Sequence, residues 1–123
     1  MKLKVQIFIV EDDPWYGELL KYHLSLNADF EVELFTNPMV FLDQLHRKPD
    51  LITIDYNMPE MNGDELIIKV KEKYTNIPCV MLSGQANSIA INQLKKDKLL
   101  SEFIEKPWTE ETIATVVNSY IDI

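Results

Sequence analysis

Two groups of acidic side chains follow two of the most apolar runs in the sequence. Asp55 closes the run Leu51 to Ile54, and Glu11-Asp12-Asp13 follows the run Val5 to Val10. If both runs are parallel strands, their carboxyl ends lie at one edge of a sheet, where ligands bind in open α/β sheets. Carboxylates gathered there repel one another unless a cation lies among them. Because Mg²⁺ prefers oxygen ligands, we expect Glu11, Asp12 and Asp55 to hold a divalent cation.

Lys106 and Ser83 add an ammonium and a hydroxyl at the same predicted edge. Lys106 follows a short strand-like segment, and Ser83 follows the apolar run Ile77 to Leu82. Pro107 restricts the peptide bond after Lys106, with cis as one option, and we expect this to aim the lysine inward. An acidic cluster, a hydroxyl and an ammonium together describe a pocket for a phosphoryl group carried with its metal.

The elements that must position these side chains are visible as alternating patterns. Apolar runs alternate with helix-period segments in five rounds of about 20 to 25 residues, which is typical of βα units, an α/β fold and a parallel sheet. We expect the two outer strands, the second and the fifth, to be less buried than the others. The predicted strands are Lys4 to Val10, Glu31 to Phe35, Leu51 to Ile54, Cys79 to Leu82 and Glu102 to Ile104.

Three helix starts carry capping signals. Asp13-Pro14 and Asn37-Pro38 each place a capping side chain before a proline at the first helical position. Thr109 precedes Glu110-Glu111, which suit the first turn of a helix because its dipole favours anions there. The predicted core face of this last helix consists of Ile113, Val116, Val117, Tyr120 and Ile121.

Composition limits the function classes. The 123 residues are enough for one domain, and a net charge of −8 argues against direct nucleic-acid binding. No stretch approaches the roughly 18 apolar residues of a membrane helix, and no secretory signal is visible. The single cysteine, Cys79, lies in an apolar run and is predicted to be a buried structural thiol. We therefore expect a cytoplasmic protein, with no membrane contact, whose target is another protein.

Four segments, in this order and at this spacing, resemble the receiver domain of two-component response regulators, the CheY-like family. They are Phe8 to Asp13, Ile54 to Gly63, Met81 to Gly84 and Phe103 to Pro107. The resemblance covers essentially the whole chain and implies one receiver domain over residues 1–123. It also implies a doubly wound (βα)5, flavodoxin-like three-layer sandwich whose five-stranded parallel sheet has the order 2-1-3-4-5.

The resemblance assigns a role to each site residue. Asp55 matches the aspartate that accepts the phosphoryl group from a histidine kinase. Glu11 and Asp12 match the acidic pair for Mg²⁺, with Asp12 as direct ligand and Glu11 acting through water, while Asp13 is left to cap a helix. Asn57 matches the residue whose main-chain carbonyl completes the metal site. Ser83 and Lys106 match the hydroxyl and ammonium that contact the phosphoryl oxygens, and Phe103 matches the aromatic switch position.

The implied activity is signalling, with self-phosphorylation and slow self-dephosphorylation as its only chemistry. Phosphorylation of Asp55 would draw Ser83 inward, let Phe103 fill the vacated space and reshape the face formed by the fourth helix, fifth strand and fifth helix. The implied partners are a sensor histidine kinase or a histidine phosphotransfer protein, and a downstream output protein or domain. A homodimer through the same face is also allowed. Lys95 to Ser101 replace the small turn of many receivers before the last strand, so the signalling face is expected to differ in geometry.

Four alternatives stay open from the sequence. Asp55 could be the nucleophile of a small Mg²⁺-dependent phosphohydrolase, although Asn57 stands where haloacid-dehalogenase phosphatases place a second aspartate. A flavodoxin-like cofactor-binding module would need a phosphate loop, and the first loop here is acidic. A degenerate receiver would act by contact alone. The acidic run could also be only a solvated turn with a helix cap.

The two histidines are predicted to have no part in phosphotransfer. His23 and His46 lie in predicted helices without a companion at metal-ligand spacing and are interpreted as helix-surface residues. Trp15 lies next to the acidic loop, where it either shields the site or simply packs. Asn57 and Gln85 are predicted to flank the pocket and to influence how water reaches the acyl phosphate.

Overall fold

The computed structural model describes residues 4–84 and 89–121 and has an α/β fold of alternating strands and helices. The strands are β1 (Val5–Val10), β2 (Phe30–Phe35), β3 (Leu51–Asp55), β4 (Cys79–Ser83) and β5 (Glu102–Glu105). The helices are α1 (Pro14–Ser25), α2 (Pro38–Gln44), α3 (Gly63–Lys73), α4 (Ile89–Lys96) and α5 (Glu110–Tyr120), and a 3₁₀ turn, Leu45–Arg47, follows α2.

The five strands form one parallel sheet in the order β2-β1-β3-β4-β5, which confirms the predicted fold class. Every residue of β3 and β4 is buried, whereas the outer strands β2 and β5 carry half-buried and exposed positions, as expected. The predicted strand boundaries are off by one residue at several ends. The differences that matter lie at the carboxyl ends, since Asp55 and Ser83 are the last residues of their strands rather than the first residues of loops.

Side chains that alternate along the strands create two cores, one on each face of the sheet. Ile7 and Ile9 pack with Leu20 and Leu24 of α1 and with α5, while Phe8 and Val10 face α2, α3 and α4. The result is the three-layer sandwich that the sequence predicts. The longest helix, α1, has 12 residues, and within residues 4–84 and 89–121 no helix is long and apolar enough to cross a membrane.

The three predicted helix starts are confirmed by their capping hydrogen bonds. Asp13 Oδ1 accepts from the amide of Trp15 at 2.9 Å, and Asn37 Oδ1 accepts from the amide of Met39 at 2.8 Å. Thr109 Oγ1 accepts from the amide of Thr112 at 3.1 Å. Each bond satisfies an amide that has no partner inside its helix, so α1, α2 and α5 all begin where their cap lies.

The predicted core face of the last helix is wrong at Tyr120, which is exposed. Ile113 and Val117 are buried, Val116 is half-buried, and Ile121, one residue beyond the helix, packs against the same core. A tyrosine hydroxyl needs a hydrogen-bond partner, which the apolar core does not supply. The Tyr120 hydroxyl donates to the carbonyl of Ser101 at 2.6 Å, which ties the end of α5 to the start of β5.

Candidate functional site

The predicted site residues lie at the carboxyl edge of the sheet, on both sides of the point where the strand order reverses. Glu11 follows β1, Asp55 ends the neighbouring strand β3, and Lys106 follows β5. Because β1 and β3 are adjacent while their connections leave toward opposite sides, a crevice opens between the two strand ends. The acidic residues of the first and third strands therefore meet in that crevice.

The ammonium of Lys106 joins the two buried carboxylates. Its Nζ donates to Glu11 Oε1 and to Asp55 Oδ1, each at 2.8 Å. Glu11 and Asp55 are only 3% and 4% exposed, and Lys106 is half-buried. Buried charges need partners, and here one cation satisfies two anions that come from distant parts of the chain. The predicted inward orientation of Lys106 is thus what the structure has, and the peptide bond to Pro107 is cis.

The electrostatics of this trio follow from burial and proximity. Burial raises the pKa of Glu11 from 4.5 to about 7, the nearby Asp55 raises it further, and the hydrogen bond from Lys106 opposes the shift. Burial also raises the pKa of Asp55, again against the influence of Lys106. Burial alone would lower the pKa of Lys106, but the hydrogen bonds with Asp55 and Glu11 outweigh it, so the net shift is upward. For both carboxylates, burial therefore outweighs the stabilisation of the charged form that Lys106 provides.

The residues present fit a divalent cation. Carboxylate oxygens of Glu11, Asp12 and Asp55 all lie within 4.8 Å of one another, and Asp12 is half-buried at the mouth of the crevice. Such a set of oxygen donors suits Mg²⁺, which keeps several of its waters and takes only one or two carboxylates. Asn57 is exposed in the loop that follows β3, and the role of its main-chain carbonyl stays a prediction.

Backbone hydrogen bonds continue the sheet ladder past the strand ends and fix the loops that carry the site. The amide of Glu11 donates to the carbonyl of Phe35 at 3.0 Å, and the amide of Tyr56 donates to the carbonyl of Leu82, also at 3.0 Å. The amide of Lys106 donates to the carbonyl of Ser83 at 2.8 Å. Each acidic or basic side chain is therefore attached to a backbone held by its neighbouring strand.

The two predicted switch residues lie on β4 and β5. Ser83 is fully buried at the end of β4, one residue beyond Leu82, which pairs with Asp55 across the sheet. Phe103 is half-buried on β5, pairs with Met81, and has the ammonium of Lys95 at 5.1 Å from its ring centroid. Their proposed coupling stays a prediction, and Gln85 lies outside the described residues.

His23 is half-buried rather than a helix-surface residue, while His46 is exposed as predicted. That neither histidine takes part in phosphotransfer stays a prediction. His23 is half-buried between α1 and the start of α5, where its ring packs edge-on against Trp108 with centroids 5.7 Å apart. Its Nδ1 lies 3.6 Å from a carboxylate oxygen of Glu110. Trp15 is 67% exposed, and its ring makes a T-shaped contact with Tyr16, so its predicted role as a shield of the site stays a prediction.

Tyr16 also lies at the site, although no pattern in the sequence singled it out. Its ring centroid lies 5.0 Å from Nζ of Lys106, so the ring faces the ammonium that joins Glu11 and Asp55. The signal that could have found it is an aromatic residue in the first turn of α1, directly after the acidic run.

The family comparison agrees with this geometry. A family model described as the response regulator receiver domain matches residues 7–118. Over 98% of its length the chain is 28% identical to the transcriptional regulatory protein FixJ of Bradyrhizobium diazoefficiens, of which it covers 58%. Over 91% of its length it is 33% identical to hybrid signal transduction histidine kinase D of Dictyostelium discoideum, of which it covers 7%. The chain thus spans less than two-thirds of the length of both curated relatives.

Solved structures give the same result for the fold. Chemotaxis protein CheY4 of Vibrio cholerae superposes with a TM-score of 0.85 at 24% identity, covering 96% of this chain and 99% of that one. The non-phosphorylated HemR receiver domain from Leptospira biflexa superposes with a TM-score of 0.83 at 28% identity, covering 98% of this chain and 96% of that one. The family match favours a phosphoryl-accepting signalling module over the phosphohydrolase and the cofactor-binding module. The chain belongs to the response regulator receiver domain family of two-component signalling.

Proposed function

We propose that Asp55 is the phosphoacceptor of this receiver and that a histidine kinase or a histidine phosphotransfer protein is the donor. A carboxylate oxygen of Asp55 attacks the phosphorus of a phosphohistidine in line with the P–N bond. A new O–P bond forms as the P–N bond breaks, and the imidazole leaves with the electron pair, neutral when its other ring nitrogen carries a proton. The products are an acyl phosphate on Asp55 and an unmodified histidine.

The observation that supports this proposal is the bond from Lys106 Nζ to Asp55 Oδ1 at 2.8 Å in a crevice that also presents Glu11 and Asp12. Phosphoryl transfer needs positioning and charge neutralisation more than acid or base groups. The ammonium of Lys106 can exchange its hydrogen bond to Asp55 for one to an oxygen of the incoming phosphoryl group, while its hydrogen bond to Glu11 holds it in the crevice. Mg²⁺, when bound by Glu11, Asp12, Asp55 and the carbonyl of Asn57, supplies the remaining positive charge.

The signal would leave the site through Ser83 and Phe103. The acyl phosphate adds about −1.5 to −2 charges and new acceptor oxygens, which can draw the Ser83 hydroxyl toward them. Phe103 then moves toward the space that Ser83 leaves, and the face of α4, β5 and α5 changes shape. Coupling of this kind is typically worth about 1 to 3 kcal/mol. The reshaped face would bind an output protein or domain, or a second copy of the chain.

Residues 1–123 act as one receiver domain in the cytoplasm, without direct contact to nucleic acid or membrane. Its only chemistry is self-phosphorylation and slow self-dephosphorylation. A degenerate receiver that never carries phosphate is the remaining rival, and the same experiment separates the two.

The test is incubation with acetyl phosphate and Mg²⁺ followed by intact-protein mass spectrometry. We expect one phosphoryl group on the wild type, none on Asp55→Asn, and one on the matched control Asp43→Asn, which makes the same change on the exposed side of α2. No gain on the wild type, or an equal gain on Asp55→Asn, would contradict the assignment. Continuous turnover of p-nitrophenyl phosphate would instead support the phosphohydrolase.

The switch part has its own test, since phosphorylation can succeed without it. Ser83→Ala removes the hydroxyl that the phosphoryl group is proposed to attract. We expect the NMR shifts of α4, β5 and α5 to change on phosphorylation in the wild type and to change far less in Ser83→Ala. Equal changes in both proteins would overturn the proposed role of Ser83.

A further inference from the structure

We propose that Tyr16 is a positioning residue for Lys106, and that its aromatic ring holds the ammonium in the crevice while the phosphoryl group enters. The inference rests on the role proposed for Lys106 in phosphotransfer. It deepens that role by adding a third partner to the two carboxylates, from an element that carries neither of them.

The geometry around Nζ of Lys106 carries the inference. An ammonium has three N–H donors, and here Glu11 Oε1 and Asp55 Oδ1 accept from it at 2.8 Å each. The Tyr16 ring lies over the same nitrogen, with 5.0 Å between Nζ and the ring centroid. That separation is within the range of a cation–π contact, and such contacts strengthen when the ammonium is partly desolvated, as it is here.

The backbone fixes the ring where it lies. Tyr16 is in the first turn of α1, whose start is set by the Asp13 cap and by the hydrogen bond from the amide of Gly17 to the carbonyl of Asp13 at 2.9 Å. At Gly17 the helix lies so close to β2 that a Cβ would be 2.7 Å from Cδ1 of Leu34. The first turn of α1 therefore lies close against the sheet, and the ring of Trp15 makes a T-shaped contact with that of Tyr16.

A neutral aromatic ring can attract the Lys106 ammonium without repelling the incoming phosphoryl group, which the carboxylates cannot do. When the phosphoryl group arrives, the Lys106 ammonium must exchange an oxygen of Asp55 for a phosphoryl oxygen. Glu11 attracts the ammonium but also repels the incoming anion, whereas the Tyr16 ring attracts a cation through its quadrupole without adding a full negative charge. The ring also covers the α1 side of the ammonium with an apolar surface. We infer that Tyr16 keeps Lys106 available during the exchange.

The test combines a spectroscopic signature with a rate, using Tyr16→Leu, which removes the ring, and Tyr16→Phe, which keeps it. The matched control is Tyr22→Leu, the same change on the same helix at a side chain that is 61% exposed and packs against His23. We expect the ring current to shift the Lys106 Cε protons upfield in the wild type and Tyr16→Phe, and this shift to vanish in Tyr16→Leu. Phosphorylation by acetyl phosphate with saturating Mg²⁺ should slow about twofold to fivefold in Tyr16→Leu only.

The outcomes are separable from those of the proposed function. The role of Tyr16 would be overturned if the Lys106 Cε protons of the wild type showed no upfield shift, or if Tyr16→Leu were phosphorylated at the wild-type rate. Either result would leave Asp55 as the acceptor. If the wild type gains no phosphoryl group, the proposed function fails, and the ring-current shift still reports on the contact. Should Tyr16→Leu not fold, Tyr16→Met fills a similar volume without a ring and takes its place.

Discussion

Gly63 begins α3 directly against the backbone of Asp55. A Cβ atom at position 63 would lie 2.6 Å from the carbonyl oxygen of Asp55 and 2.9 Å from Cα of Tyr56. The amide of Gly63 also donates to the carbonyl of Tyr56 at 2.7 Å. Helix α3 is therefore in contact with the main chain of Asp55, the proposed phosphoacceptor, and no side chain fits between them.

Gly63→Ala should damage both the fold and the site. The added methyl group would meet backbone atoms that cannot rotate away, so α3 or the end of β3 must move, at a cost of about 1 to 3 kcal/mol in the free energy of unfolding. Urea unfolding measures this cost, and phosphorylation of the folded fraction should also slow. Gly84→Ala is the matched control, because among the described residues, apart from the neighbours of Gly84 in the chain, no heavy atom lies within 4 Å of a Cβ there. Equal stability of the two variants would contradict the close approach.

The ammonium of Lys95 lies 5.1 Å from the ring centroid of Phe103, the proposed switch residue. An exposed cation–π contact is worth about 0.5 to 1 kcal/mol, and it stabilises the ring position seen here. Lys95→Gln should therefore raise the population of the alternative, phosphorylated-like arrangement about twofold to fivefold before any phosphorylation. The readout is NMR, as shifts of β5 and α5 move toward their phosphorylated values.

The control for Lys95→Gln is Lys96→Gln, the same loss of charge at the next, exposed position of α4. It should leave those shifts unchanged. Identical spectra for wild type and Lys95→Gln would show that the contact does not bias the switch.

The course of the backbone was predictable because its signals are local. Capping side chains before Pro14 and Pro38 mark helix starts, and a predominantly apolar run such as that before Asp55 marks a buried parallel strand. The meeting of Glu11 and Asp55 also followed, since parallel strands end at one edge of the sheet. Strand ends converge whatever side chains they carry, so this part of the site needed no knowledge of packing.

Contacts between helices and distant loops were not predictable. Periodicity identifies the apolar face of a helix, but it does not say which side chain of another element lies opposite a given position. His23 therefore looked like a surface residue, although Trp108 packs against it, and Tyr16 gave no sign of its contact with Lys106. These contacts depend on how the loop after β5 returns across α1, and no local pattern records that path.

Glu11 should make the metal-free protein less stable as pH rises. Its pKa lies near 4.5 in the unfolded chain and at about 7 in the folded protein, mainly because of burial. Between these values the folded state keeps a proton that the unfolded state releases, so the free energy of unfolding falls with rising pH and levels off above about 7. The Glu11→Gln variant has no such proton to lose. Its free energy of unfolding, relative to that of the wild type, should therefore rise by about 1 to 3 kcal/mol across this pH range.

The measurement for Glu11 is urea unfolding in EDTA at several pH values, with Glu18→Gln as the same change at an exposed position of α1. Saturating Mg²⁺ should remove this gain in stability of Glu11→Gln over the wild type, because the cation stabilises the ionised carboxylate of Glu11. A difference between wild type and Glu11→Gln that does not change with pH would mean that Glu11 does not titrate as described.

Thr53 lies two residues before Asp55 and carries a buried hydroxyl for which the described part of the chain offers no hydrogen-bond partner. Its cross-strand neighbours are Ile9 and Val80, both fully buried, so the hydroxyl lies in an apolar layer. Thr53→Val replaces the hydroxyl by a methyl group of similar size and should raise the free energy of unfolding by about 1 kcal/mol, since an unpaired buried hydroxyl is costly. Thr53→Ser keeps the hydroxyl, removes a methyl group and should lower stability by about 1 kcal/mol. Urea unfolding of both variants measures these changes, and a destabilised Thr53→Val would show that an ordered water or another group satisfies the hydroxyl.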